Sequence, residues 1–207
     1  MKGINFYIFL LILTIGCTTK KNENASNEMV DTLRSPNGYV KPDQSEMDVS
    51  WWPANYPIQK MQNDTNAKLR ARVLYSRPHK KGRTIFGEAE NNLCTYGKPW
   101  RLGANEATEI TFFVDVLIAN TKINKGTYVI YCIPNKDNWD IKLNSNLFTW
   151  GLHIDETKDV FTTNIKTTVQ EPTLENFTMV FEENKNGSNL IMAWDNVKVV
   201  LPISIAN

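Results

Sequence analysis

Residue types that do chemistry crowd into one stretch of this 207-residue chain, Tyr75 to Thr108, which reads YSRPHKKGRTIFGEAENNLCTYGKPWRLGANEAT. Arg77, Arg83 and Arg101 lie inside it and Arg70 and Arg72 just ahead, although the whole chain has six arginines against seventeen lysines. A guanidinium presents several donors in one fixed plane, which a lysine ammonium does not. Such groups hold a carboxylate, a phosphate or sugar oxygens in forked geometry. The expectation is that Arg77, Arg83, Arg101, Asn105 and Glu106 converge in a cleft, where Asn105 fixes orientation and Trp100 offers a stacking face. Glu106 would act there as a hydrogen-bond acceptor or proton carrier. The same residues also read as architecture, with Glu106 the buried counter-ion of Arg101 or Arg77 in a network that pins long loops across the edge of the fold.

Other reactive side chains are scattered. His79 stands beside Lys80 and Lys81 and is expected to be a neutral, solvated imidazole. His153, Asp155 and Glu156 are three candidate ligands that read as a solvated loop, so no metal and no cofactor is expected. Cys94 has no histidine close to it in sequence to activate it as a nucleophile. Cys94 and Cys132 are either a disulfide or a buried pair of free thiols. No nucleophile elbow, phosphate-binding loop or dinucleotide fingerprint occurs. Trp139, Trp150 and Trp194 sit in strand-like contexts and are read as core.

The elements that position these residues show an apolar period of two. Leu69, Ala71, Val73 and Tyr75 alternate with Arg70, Arg72, Leu74 and Ser76, giving a strand with a basic face that Pro78 ends. Ile110 to Ile118 is a second, longer strand. Thr127 to Ile133 is apolar on both faces and therefore central, and Trp139 to Leu143 is another strand. Phe161 to Val169, Phe177 to Phe181, Leu190 to Trp194 and Val197 to Ile205 follow, with Asp195-Asn196 read as a tight hairpin between the last two. Asn124-Lys125-Gly126 and Asn186-Gly187 mark further turns, while Pro53 and Pro57 keep their segment extended. No window of eleven residues keeps a helical stripe. The fold expected is all-β, a single antiparallel β-sandwich or jelly roll over residues 51–207.

Residues ahead of that domain read differently. Lys2, the apolar run Ile4 to Ile15 and Gly16-Cys17 form an export leader (1–16), too short to span a bilayer. Its end resembles a bacterial lipobox with Cys17 as the acylated residue, or else an ordinary signal peptide in which Cys17 is incidental. Residues 17–50 are polar, rich in Asn, Ser and Lys, and read as a flexible tether. The formal charge of +1 falls to about neutral without the leader, which gives no electrostatic argument for nucleic acid or an anionic surface.

The pieces YSRP, KGR, IFG, WRLGANEAT, GTY, WG and AWD, spread over roughly residues 69–203, resemble the exported bacterial family of unknown function DUF2911. The resemblance implies a β-rich, exported or lipid-anchored protein and carries no established activity. After Trp150-Gly151 that family places a tyrosine and, further on, an arginine; this chain has LHIDETKDVFT there. Together these readings predict an envelope lipoprotein, anchored to the membrane through lipid alone, that binds a small polar or anionic ligand or an envelope partner through its arginine-rich face. Competing expectations are a hydrolase or lyase with Glu106 as acid/base and Arg101 as anion binder, and a purely structural envelope module.

Overall fold

The computed structural model describes residues 43–206; the expected leader, Cys17 and the tether as far as residue 42 lie outside them. The described residues hold twelve strands: β1 (Met47–Trp52), β2 (Ala71–Ser76), β3 (Phe86–Gly87), β4 (Cys94–Thr95), β5 (Glu109–Phe112), β6 (Val116–Ile118), β7 (Thr121–Ile123), β8 (Gly126–Pro134), β9 (Asn138–Asn144), β10 (Asp159–Lys166), β11 (Thr168–Asn184) and β12 (Gly187–Ile205). One sheet runs β1-β2-β5-β8-β9-β10 and a second β11-β12-β6-β7, all antiparallel; β3 and β4 form a small parallel pair. This is the expected all-β sandwich.

Alternation explains why the two sheets close on each other. Ala71, Val73 and Tyr75 of β2, Ile110 and Phe112 of β5, and Trp139, Ile141 and Leu143 of β9 point to one interior. Phe177, Met179 and Phe181 of β11 and Leu190, Met192 and Trp194 of β12 face them from the other sheet. In a strand every second side chain faces the same way, so each of these series lines one face. Burying each large apolar side chain contributes on the order of 1.5–3 kcal/mol. β8 is central, between β5 and β9, and is buried on both faces from Val129 to Cys132, as its composition requires.

Five readings change. Phe161 to Val169 is the end of β10 and the start of β11, which lie in different sheets. The alternation from Ile110 to Ile118 is two strands, because the chain leaves the six-stranded sheet after Phe112 and joins the other at Val116. Asp195-Asn196 is not a hairpin: β12 runs through it, with Asp195 at φ 55 opposite Leu174, where the β11 register shifts. The left-handed conformation that Asp tolerates serves a bulge here rather than a reversal. Pro57 opens a short helix, α1 (Tyr56–Met61), instead of keeping the chain extended; its missing N–H is harmless in a first turn. The domain also begins before residue 51, since Met47 to Trp52 pair along β2. The Asn186-Gly187 turn joins β11 to β12 as expected, and no helix among the described residues is long and apolar enough to cross a membrane.

Candidate functional site

Arg77 leaves β2 at the point where Pro78 ends it, and its guanidinium turns to structural partners. Nη1 pairs with Asp48 Oδ2 at 3.1 Å, Nε donates to Phe177 O at 3.2 Å and Nη2 to Thr178 Oγ1 at 3.1 Å. It therefore ties β2 to β1 and to β11. Asp48 also accepts from Tyr75 Oη at 3.3 Å. Arg83 closes its own turn, donating to Lys80 O at 3.0 Å and to His79 O. His79 itself is bridged through its backbone to Asn176. Asn105 lies at φ 58 and donates to Asp43 Oδ2 at 2.6 Å and to Ser45 O at 3.4 Å, so it holds the first described residues against the WRLGANEAT loop.

Trp100 is a core residue. It is pinned to Cys132 by a pair of backbone hydrogen bonds, and its ring meets Trp139 edge-on at 5.7 Å, Phe177 at 4.9 Å and Trp194 in a stack at 5.8 Å. Its indole donates to Gly103 O at 3.3 Å. Little of its face remains for a ligand to stack on. Gly103 is where the loop passes closest to β2: a Cβ there would lie 3.0 Å from Ser76 O, which only glycine avoids.

Arg101 differs from Arg77. It is half-buried, Nη1 donates to Trp150 O at 3.0 Å, and no carboxylate among the described residues forms an ion pair with it. Burial holds its pKa below the ordinary arginine value, and the Glu106 charge offsets this only in part. Arg83 and Arg101 border one hollow of about 300 Å³, backed by Trp100 and rimmed by Ser45, Leu93 and Leu152. Glu106 is exposed and borders a different hollow of about 390 Å³, with Glu109, Met47, Tyr75, Phe148 and Trp150. Neither Arg101 nor Arg77 has Glu106 as a buried counter-ion; Arg77 pairs instead with Asp48, which is itself partly exposed. The five motif residues do not converge: Arg83 and Arg101 share a hollow with Trp100 behind them, Arg77 and Asn105 act as clasps, and Glu106 belongs next door.

A segment that sequence reading left in the background separates the two hollows. Thr149 O accepts the Ala107 N–H at 3.1 Å and Trp150 O accepts from Arg101, so this loop is stitched to WRLGANEAT along its backbone. Gly151 sits at φ +75, and a Cβ there would lie 3.0 Å from Ala107 Cβ and 3.1 Å from Arg101 Cβ. Phe148, Trp150 and Leu152 stand outward, 90%, 53% and 66% exposed, so Trp150 is not core as its context suggested. The signal was present as three large apolar residues at every second position around a glycine. Trp139 and Trp194 are buried as expected.

Remaining candidates have other uses. Asp155 Oδ1 accepts the Thr157 N–H at 3.1 Å at the start of a 3-10 turn, Glu156–Lys158, and Glu156 pairs with Lys142 at 2.9 Å. Lys142 also pairs with Asp159 at 2.9 Å, which accepts the Tyr131 hydroxyl at 2.8 Å and Asn144 Nδ2 at 2.7 Å. Among the described residues no group of three or more His, Cys, Asp and Glu is placed to hold a metal. Cys94 and Cys132 are buried free thiols, and burial raises both pKa values. A larger hollow of about 630 Å³ opens elsewhere, between Asn120, Lys185 and Pro202; no residue of Tyr75 to Thr108 borders it, and volume does not decide the site.

Comparison with curated proteins and with solved structures returned no match. Leu152, which follows Trp150-Gly151 in this chain, rims the arginine hollow. Residues 56–203, which carry both arginines of the hollow and the loop beside it, match the model described as a protein of unknown function, and the chain belongs to that family, DUF2911.

Proposed function

We propose that this is a lipid-anchored envelope protein, held through Cys17, that binds a small anionic or polar ligand in the hollow between Arg83 and Arg101. One observation carries the binding reading: Arg101 is half-buried beside a hollow, partly desolvated, and among the described residues without an ion-paired carboxylate. A guanidinium partly withdrawn from water and only partly offset by a neighbouring carboxylate attracts an anion, and charge-assisted hydrogen bonds to it are the stronger kind. Ser45 borders the same hollow. The anchor rests on the leader ending in Gly16-Cys17 and the polar segment after it. Catalysis by Glu106 is the weaker reading, because Glu106 borders the neighbouring hollow and not the one that holds the two arginines.

The binding test is calorimetry on a chain begun at Thr18, titrated with inorganic phosphate, acetate and succinate. At least one of these anions is expected to bind, and Arg101→Met and Arg83→Met each to weaken it by about tenfold or more, the loss of one charge-assisted hydrogen bond. Absence of binding to the unsubstituted chain, or equal binding by the variants, would sink the reading. The anchor is tested separately: Cys17→Ser should release the protein from the membrane fraction, and continued membrane association would contradict lipidation.

A further inference from the structure

Large apolar side chains collect at the end of the domain that carries the arginines. Among the described residues, Met47, Leu93, Phe148, Trp150 and Leu152 are five of twelve large exposed hydrophobic residues, and all five border one or other of the two hollows. They are not exposed because a loop is loose. The Thr149 and Trp150 carbonyls are bonded to Ala107 and Arg101, and Gly151 is packed against both. Phe148 holds a left-handed backbone, φ 59, that a bulky residue adopts with strain, and 90% of it faces solvent. A rigid display of Phe, Trp and Leu is what an interface uses, and Trp and Phe suit the boundary between water and hydrocarbon.

Charge and chain direction narrow the occupant. The hollow with Arg83 and Arg101 seeks an anion; the one beside it, with Glu106 and Glu109 against Tyr75, Phe148 and Trp150, suits a cation held by carboxylates and ring faces. Side by side beneath an apolar rim, the two match a zwitterionic headgroup whose phosphate and ammonium lie close to an acyl chain. The described chain begins at Asp43, bonded to Asn105, with Ser45 in the wall of the arginine hollow. The first described residue therefore sits at this same end, 26 positions after the cysteine at position 17.

We infer that this end seats on a phospholipid surface, the lipid phosphate between Arg83 and Arg101 and the side chains of Phe148, Trp150 and Leu152 sunk at the headgroup boundary. The inference rests on the reading of the arginine hollow as an anion site and names its ligand. It does not need natural acylation.

The test couples a chain begun at Cys17 through that thiol to a maleimide-headgroup lipid in phosphatidylcholine vesicles, so that a tether supplies the high local concentration. Cys94 and Cys132 are buried and do not compete for the reagent. Trp150 is the one exposed tryptophan of six, so brominated acyl chains report on it. Expected is a loss of tryptophan emission in brominated relative to plain vesicles, largely abolished in Trp150→Phe and reduced in Phe148→Ser and in Arg101→Met. Emission equal in the two vesicles would overturn the inference, and if phosphate still bound in calorimetry, the anion reading would survive and a protein or free solute would be the occupant. Quenching that Arg101→Met leaves unchanged would overturn the headgroup assignment.

Discussion

Two arginines of one motif reach opposite ends, and the difference lies in what surrounds each guanidinium. Arg77 directs its donors at Asp48, Phe177 O and Thr178, on two other strands. Replacing it by leucine takes a donor from Phe177 O and the cation from Asp48, which keeps the Tyr75 hydroxyl, at a place only partly screened from water. Arg77→Leu is therefore expected to lower the unfolding free energy by about 1–2 kcal/mol. Among the described residues Arg101 makes one hydrogen bond, to Trp150 O, and carries a desolvation penalty that the Glu106 charge offsets only in part, so Arg101→Leu should stay within about 0.5 kcal/mol of the parent. Urea unfolding of the two variants decides; equal losses would make Arg101 a clasp as well. None of this was readable locally. Sequence shows where guanidiniums concentrate, but Arg77's partners come from residue 48 and from residues 177 and 178, and only folding brings those near.

At the scale of elements, the loop between β9 and β10 sets the shape of both hollows, and Gly151 is its tightest point. Gly151→Ala must place a Cβ at φ +75 against Ala107 and Arg101. The substitution is expected to cost about 1–3 kcal/mol and to displace Arg101, so phosphate affinity should fall together with the melting midpoint. A stable Gly151→Ala variant that binds normally would show that the loop does not position the site. The strands illustrate what alternation reports. Ile110 to Ile118 keeps its apolar rhythm straight through the crossing from one sheet to the other, because the rhythm records facing the core and not which neighbour completes the ladder. Asp195 misled for a related reason: turn chemistry marks a left-handed residue, and a bulge inside β12 needs one as much as a hairpin does. Met47 to Ser50 looked like tether because an edge strand on a polar segment has little apolar content to announce it.

For the molecule as a whole, several groups hold their protons more tightly when folded. Tyr75 is pushed up to about 12, first by burial and then by the Asp48 charge. Tyr131 is raised by burial and by its bond to Asp159. For Lys142 burial opposes the charge, but the hydrogen bonds to Glu156 and Asp159 outweigh it and the pKa rises. In the unfolded chain these groups titrate at about 10 to 10.5. Above that range the folded state binds more protons than the unfolded one, so the stability these three groups contribute is fully present below about pH 10 and falls as pH rises beyond it; that of the buried Cys94 and Cys132 thiols, whose pKa values burial also raises, begins to fall earlier, from about pH 8.5. Urea midpoints followed from pH 8 to about pH 11 should show the decline, and Tyr131→Phe should make it shallower. An unchanged slope would mean that this tyrosine titrates as it does in the unfolded chain. The sandwich itself was legible because a two-residue period survives any connectivity. The site was legible only as a neighbourhood.

The bond between Asn105 and Asp43 has a mechanical consequence. Tension arriving from ahead of Asp43 is felt first by Asn105, inside the WRLGANEAT loop, before any rung of the β1–β2 ladder carries load. That ladder starts at Met47 opposite Ser76, the end nearest the pull, and β1 is an outer strand. A pull directed away from the sheet thus peels it one rung at a time instead of shearing all rungs together, and Asp48 is drawn from Arg77 early. The WRLGANEAT loop, which borders the arginine hollow through Trp100, Arg101 and Gly103, is thus the first part of the domain to feel a pull on Asp43.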